Sequence, residues 1–372
     1  MLALPAIGGA HFNMAAAAEY QHVMLSAMEN DDDEMLLMLL QDQERTGHVT
    51  YDPEWPRFDL ETLTDDQCRE YFRFYKDDIK RLVRVLHIPN KIICENDAFA
   101  SGTDAFCILL RRMVYPNRLA DLEPMFGRPK STLSMISKEM LNFILQEHGH
   151  LLENFDQPWL DQAHLQTYAD VIHAKGAPLR NCIGFIDGTV RPISRPTVDQ
   201  RVVFNGHKRT HALKYQSVVT PNGLIANLFG PIEGRRHDCA LLRLSGLAEK
   251  VEALGGQFED RNGDRFAIYG DPAYPIRDWL LSPFKQAVLT AEQQQFNGSM
   301  SQVRESVEWQ FGKIVNLFAF VDYKKNQKLF LQPVGKIYLV AALLSNFHTC
   351  LYGSQTSQYF GLDPPTIEEY VG

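Results

Sequence analysis

Three acidic residues stand where an acid is hard to explain by surface placement alone. Asp187 follows the apolar run Cys182–Ile186 and precedes Gly188. Asp271 follows the apolar stretch Phe266–Tyr269 and Gly270, and leads into Pro272-Ala273-Tyr274-Pro275. Glu308 sits between Val307 and Trp309 in a segment with helical character. An acid at the end of a buried strand is costly unless it is solvated, paired or bound to metal, and strand ends of an α/β sheet are where sites usually form. The three are therefore candidate metal ligands. Each also has a plainer reading: Asp-Gly and Gly-Asp-Pro are ordinary turn sequences, and a solvated helix face accounts for a lone glutamate. The acids lie 84 and 37 residues apart, so only folding can bring them together.

The elements that must position them differ between the two halves of the chain. Residues 60–150 read as helical. Phe72, Tyr75, Ile79, Leu82, Val83 and Leu86 predict a helix over Tyr71–Leu86, and Phe106–Val114 predicts a second. Leu119–Phe126, a Gly127 turn and a longer helix opened by Pro129 and running to about Gln146 form a helix-turn-helix pattern. In that pattern Lys130, Ser131, Thr132 and Ser134 would lead the second helix into a DNA groove; a small helical bundle has similar turns. From about residue 180 short apolar strands alternate with helices. Tyr215–Thr220 and Leu224–Ile232 flank Pro221-Asn222-Gly223 as a hairpin, and helices are expected at Asp238–Leu254, Ser301–Phe318 and Val334–Tyr352. The order predicts an α/β domain with a mixed sheet.

Composition narrows the function classes. Of 372 residues 45% are apolar and 22% charged, ordinary for a globular protein. The apolar runs Met35–Leu40 and Ile337–Leu344 fall far short of a membrane span, and the first basic residue is Arg45, so no secretory leader is expected. Six cysteines without a CxxC pair give neither a zinc site nor a disulfide framework and suit a reducing compartment. The net charge of −9 is unlike a DNA binder, but residues 1–44 carry eight acids and no base, which leaves 38 acids against 37 bases in the rest. Within that body Thr197–Arg236 is basic, with Lys208, Arg209, Arg235 and Arg236 among its cations; it reads as a solvated loop surface or as a phosphate-contacting face. Phosphate-binding GxxxxGK[ST], nucleophile-elbow GxSxG and zinc-binding HExxH motifs are all missing. His207 and His211 are four apart but in a loop-to-strand context that does not suit zinc.

Taken together, Gly184-Phe-Ile-Asp187-Gly-Thr189, Gly234-Arg-Arg-His237-Asp238, Tyr269-Gly-Asp271-Pro-Ala-Tyr274-Pro275 and Arg304-Glu-Ser-Val-Glu308-Trp-Gln-Phe-Gly312 resemble the PIF/Harbinger family of DDE transposases and the nucleases derived from them. The helical region with Arg128-Pro-Lys-Ser-Thr132 resembles that family's N-terminal helix-turn-helix. The resemblance implies an RNase H-like catalytic domain with a mixed sheet, preceded by an all-α domain containing the helix-turn-helix. Its boundaries would be an acidic tail at 1–50, the helical domain at 51–155, the nuclease domain at 156–353 and a C-terminal tail at 354–372.

The same resemblance implies Asp187, Asp271 and Glu308 as the catalytic triad, with Glu305, one turn away, as a rival for the third place. Two Mg²⁺ or Mn²⁺ ions ~3.5–4 Å apart would serve in-line attack on phosphorus, with Asp187 bridging both. Asp238 is a fourth acid that reads either as a helix N-cap or as a metal contact, and Lys313 either as a phosphate contact or as a solvated lysine. The implied function is cutting DNA at transposon ends and joining them to target DNA; a domesticated nuclease or a non-transposing DNA-binding or adaptor protein is the alternative. The implied partners are DNA, a Myb- or trihelix-like DNA-binding helper and a second copy of the chain or a larger assembly, in the nucleus and without a membrane. Glu29–Leu40 reads as a helix that docks that helper or packs on its own protein.

Overall fold

A computed structural model describes residues 55–95 and 97–372. The acidic segment 1–50 and its docking stretch Glu29–Leu40 lie outside the described residues. The helical half opens with α1 (Asp65–Phe72) and α2 (Lys76–Val85) where periodicity predicts one helix. The chain breaks at Arg73, which adopts a left-handed conformation (φ 70°) and donates its N–H to the Arg69 carbonyl. A hairpin of β1 (Lys91–Ile93) and β2 (Phe99–Ser101), not anticipated by the helical reading, precedes α3 (Gly102–Val114). A 3-10 turn (Leu119–Leu122), the single turn α4 (Glu123–Phe126), Gly127 at φ 63° and α5 (Lys130–His148) follow. Short turn, glycine and long helix thus stand where the sequence places them, but a one-turn α4 does not establish a DNA-reading helix-turn-helix.

After α6 (Gln162–Ala174) the chain enters a mixed sheet. β3 (Cys182–Pro192) pairs antiparallel with β5 (Thr210–Val219) and parallel with β7 (Ala267–Tyr269). β6 (Ile225–Glu233) and the two-residue β4 (Phe204–Asn205), reached through the one-turn α7 (Gln200–Val203), both pair with β5, while β8 (Leu280–Leu281) adds parallel to β7. Setting β4 aside, the strands lie in the order third, second, first, fourth, fifth. That order is consistent with the RNase H-like domain the motifs imply. The expected helix over Asp238–Leu254 is two helices, α8 (Asp238–Leu244) and α9 (Leu247–Ala253). They are split at Gly246, whose φ of 62° no helix continues through.

Two long helices back the sheet. α10 (Ala291–Leu317) starts ten residues earlier than expected, at a capping box in which Thr290 and Gln293 satisfy each other's backbone N–H groups. α11 (Val334–Tyr352) has a mean hydropathy of 1.3 and is long and apolar enough to cross a membrane, but 67% of it is buried inside this fold. It is a core helix. Residues 354–372, expected as a tail, fold as α12 (Gln355–Phe360) and α13 (Ile367–Val371), with Phe360, Ile367 and Tyr370 buried. One apolar cluster runs from Leu60 to Tyr370, so the boundary placed near residue 155 coincides with no break in the core.

Asn346 pins these layers together. In the middle of apolar α11 it is fully buried, accepts the Ile225 N–H at 3.0 Å, and donates to the Ile225 carbonyl at 2.9 Å and to the Tyr370 hydroxyl at 2.8 Å. It therefore closes the open end of β6 and fastens α13. Replacing it by leucine keeps the branched outline, adds methyl bulk and orphans a buried N–H, a carbonyl and a hydroxyl. Asn346→Leu is expected to cost about 2–3 kcal/mol, read as a lower urea midpoint with an unchanged slope.

Candidate active site

The register of the sheet sets the acids side by side. β3 and β7 run parallel and their pairing ends at Phe185↔Tyr269. Two residues beyond that pair along each chain stand Asp187 and Asp271, near enough that the charge of Asp271 raises the Asp187 carboxyl. Asp187 does not end its strand, as the apolar run suggests, because the antiparallel partner β5 carries β3 on to Pro192. It ends only the parallel pairing, and the gap beyond Tyr269 is where its side chain meets solvent. The Asp271 Oδ1 accepts the Ala273 N–H at 2.9 Å, which fixes the turn that follows. Ser217, directly opposite Asp187 on β5, and Tyr269 have buried hydroxyls with no hydrogen-bond partner on this same face.

α10 brings the third acid and a cation. Arg304 Nη1 donates to Asp187 Oδ2 at 3.1 Å, and Arg304 Nη2 lies 4.0 Å from Glu308 Oε1. Arg304 and Glu308, four apart, share a helix face; Glu305 lies about 100° round the helix from Arg304 and is exposed. Asp187 Oδ1 accepts the N–H of Gly188 at 2.8 Å. Burial raises the Asp187 carboxyl above its ordinary value; Arg304 and the Gly188 N–H pull it down, and the charge of Asp271 pushes it up. Sequence motifs gave Arg304 no role, and its partner 117 residues away could not be read from spacing.

Asp238 belongs to the other face. A Cβ on Gly188 would stand 2.7 Å from Asp238 Oδ1, and Gly188 points opposite to Asp187. The glycine of the Asp-Gly pair therefore makes room for this carboxylate. Lys214 Nζ, 8% exposed, holds it at 2.7 Å and also donates to the Arg236 carbonyl at 2.9 Å. The α8 N-cap is His237, with Asp238 the first helical residue, so the capping reading is off by one position.

The residues read as DNA contacts scatter. Lys208 and Arg209 are exposed on the β4–β5 turn, and Arg235 is exposed after β6. Arg236 is bound to Glu233 at 3.0 Å. Asn205 ties the two turns together by donating to the Gly234 carbonyl at 2.8 Å and accepting the Lys208 N–H at 2.9 Å. Lys130 and Ser131 are exposed at the start of α5 and Ser134 is half-buried, but Thr132 is buried and faces no groove. Lys313 corrects the sequence reading. Its ammonium points into the protein, donating to Thr349 Oγ1 at 2.7 Å and the Gly353 carbonyl at 2.9 Å at the end of α11. Burial lowers its pKa to about 7.

Asp187, Asp271 and Glu308 supply the hard oxygen donors that a small divalent cation takes, and the orphaned Ser217 and Tyr269 hydroxyls add polar groups to the same face. Among the described residues no three acidic, imidazole or thiol groups already converge on one point; Arg304 stands between Asp187 and Glu308. All six cysteines are free thiols.

Residues 186–346 match the family model described as DDE superfamily endonuclease, a span that contains all three acids. The chain is similar to Protein ALP1-like of Arabidopsis thaliana, at 24% identity over 233 residues covering 60% of this chain and 54% of that protein. The chain thus spans about half the length of the curated relative it matches. No solved structure matches it.

The environment of Asp187 makes a stability prediction. Its folded pKa is raised above the ordinary 3.8, so the wild type loses relative stability as pH rises through that raised value. Asp187→Asn carries no such charge. Thermal melts across a pH series should show the variant at least as stable as wild type at neutral pH, with the difference closing as pH falls toward 3.8. A variant clearly less stable at neutral pH would mean that the Arg304 pair outweighs burial.

Proposed function

We propose that this chain, whose residues 186–346 match the DDE superfamily endonuclease model and which is similar to an ALP1-like protein, is a Harbinger-type, transposase-derived protein that cuts DNA using Asp187, Asp271 and Glu308 and joins the ends to target DNA. The observation that supports this reading is the strand register, which brings Asp187 and Asp271 to the end of the β3–β7 pair, together with Arg304, which pairs with Asp187 and reaches toward Glu308 of α10. Mg²⁺ or Mn²⁺ held by these acids would supply a polarised water or 3′-hydroxyl and stabilise the leaving oxygen. Asp187, whose charge is coupled to that of Asp271 and which shares Arg304 with Glu308, would be the central holder of such an ion. Asp271 is held by its own turn, and Glu308, on a helix and 65% exposed, is the one free to move in.

The basic turns give the duplex a track. Thr210 is seven residues along β5 from Ser217, the partner of Asp187, roughly 23 Å at ~3.3 Å per residue. That is about seven base pairs. Lys208, Arg209 and Arg235 lie at that end and would take backbone phosphates, with Lys130 and Ser131 as a second contact. A Myb- or trihelix-like helper, a dimer on DNA and a nuclear site of action belong to the same proposal. A second reading, a DNA-binding protein of the same descent that does not cut, draws on the Arg304 pairing of Asp187 and Glu308.

Two measurements test these readings. With Mg²⁺ or Mn²⁺ the wild type should nick or cut duplex DNA, and Asp187→Ala, Asp271→Ala and Glu308→Ala should each lower the rate about a hundredfold or more while leaving circular dichroism unchanged. Binding without cutting under every condition would favour the second reading. For the track, Lys208→Ala with Arg209→Ala should weaken binding of all sequences alike and reduce the slope of log affinity against log salt by about one unit per residue. An unchanged slope would remove these turns from the interface.

A further inference from the structure

Both oxygens of Asp187 are engaged. Oδ1 accepts the Gly188 N–H at 2.8 Å and Oδ2 accepts Arg304 Nη1 at 3.1 Å. The other arm of the same guanidinium faces Glu308 Oε1 at 4.0 Å. A planar guanidinium thus stands between the two carboxylates, where a divalent cation drawn to both would also stand. The two cations repel, and an Asp187 oxygen shared with Arg304 is not open to bridge. Arg304 is nevertheless free to leave. Its side chain is 20% exposed, it rises from the middle of a helix that need not move, and its pairing is one strong hydrogen bond and one long contact. A phosphodiester offers the same guanidinium two parallel oxygens, the geometry it binds best.

We propose that Arg304 is a latch on the metal site: it pairs Asp187 with Glu308 while DNA is absent, and passes to a backbone phosphate when DNA binds, opening both carboxylates to a divalent cation. The proposal rests on the nuclease reading above. It makes DNA binding and metal binding strengthen each other, because each is linked to the same displacement. It also gives a nuclease whose ion is assembled only where its substrate is.

Removing the latch should move the two affinities in opposite directions. Mn²⁺ binding, followed by the spin-resonance signal of the free ion, would be measured on the full chain without DNA for wild type, Arg304→Gln and Arg304→Lys. Arg304→Gln should bind Mn²⁺ about tenfold more tightly than wild type, and Arg304→Lys, which cannot fork between two acids, should also bind more tightly. Binding of a short duplex without divalent ions should weaken in Arg304→Gln. An arginine that only supports the fold would lower both affinities, and an idle one would change neither; either result overturns the latch. If Arg304→Gln fails to give a cooperative melt, Arg304→Lys carries the same comparison. If no variant binds Mn²⁺, with or without duplex, the nuclease reading itself fails rather than the latch alone.

Discussion

Like charges resist being brought together out of water, and the arrangement around Asp187 follows from how a half-buried carboxylate is held near the charge of Asp271 and paired with Arg304. Burial and the neighbouring charge of Asp271 both raise the Asp187 carboxyl; only Arg304 and one backbone N–H act the other way. Such a set is stable only if the surrounding backbone fixes where the acids stand and a cation of some kind stands among them. The sheet does the first. Parallel pairing of β3 with β7 stops at Phe185↔Tyr269 while antiparallel pairing with β5 continues to Pro192. The sheet therefore stays continuous on one side of Asp187 and opens on the other. Asp271 follows two residues beyond the end of that parallel pairing, its turn held by its own bond to the Ala273 N–H.

The helices behind the sheet hold that opening to shape. α10 can present Arg304 and Glu308 together only because they are four residues apart on a helix about 40 Å long. That helix is fixed at its start by the Thr290–Gln293 capping box and along its length by Lys313, which reaches into the end of α11. α11 is fixed in turn through Asn346 to Ile225 and Tyr370. A chain of specific polar contacts thus runs from the C-terminal helix to the helix that carries Arg304 and Glu308.

What the sequence reveals and conceals divides along the same lines. Short apolar runs ending at Asp187 and near Asp271, the Pro221–Gly223 turn and the Gly127–Pro129 start of α5 are local signals, and strands, turn and helix are found at each, although β3 runs on past Asp187 to Pro192 and β5 begins at Thr210. Single-helix readings of Tyr71–Leu86 and Asp238–Leu254 fail because a left-handed residue, Arg73 or Gly246, breaks a periodic pattern without interrupting it in sequence. The first ten residues of α10 were missed because they are rich in glutamine and carry Gly298, which blurs an apolar stripe. Partners far apart in the chain leave no local trace: Arg304 with Asp187, Lys214 with Asp238 and Lys313 with Thr349 become visible only when the sheet and helices pack. Lys313 shows the cost of reading type alone, since a lysine beside an active-site helix suggests phosphate and here caps a neighbouring helix.

The two ion pairs that meet opposite faces of β3 illustrate the difference between a charge that braces a strand and one that is more open to exchange. Lys214 and Asp238 lie on the face away from the triad, with Lys214 8% exposed and its ammonium shared with the Arg236 carbonyl. Breaking such a pair strands a buried charge at a cost of about 3–5 kcal/mol, so it is fixed, and it braces the strand from behind through the space Gly188 leaves. Arg304 and Asp187 lie on the triad face, more open to solvent, with a second acid already within reach of the same guanidinium. Here the guanidinium has Glu308 and solvent within reach as well as Asp187. A strand braced on one face by a buried pair and met on the other by a more open one can keep its backbone still if the open pair exchanges, which is what the proposed latch requires.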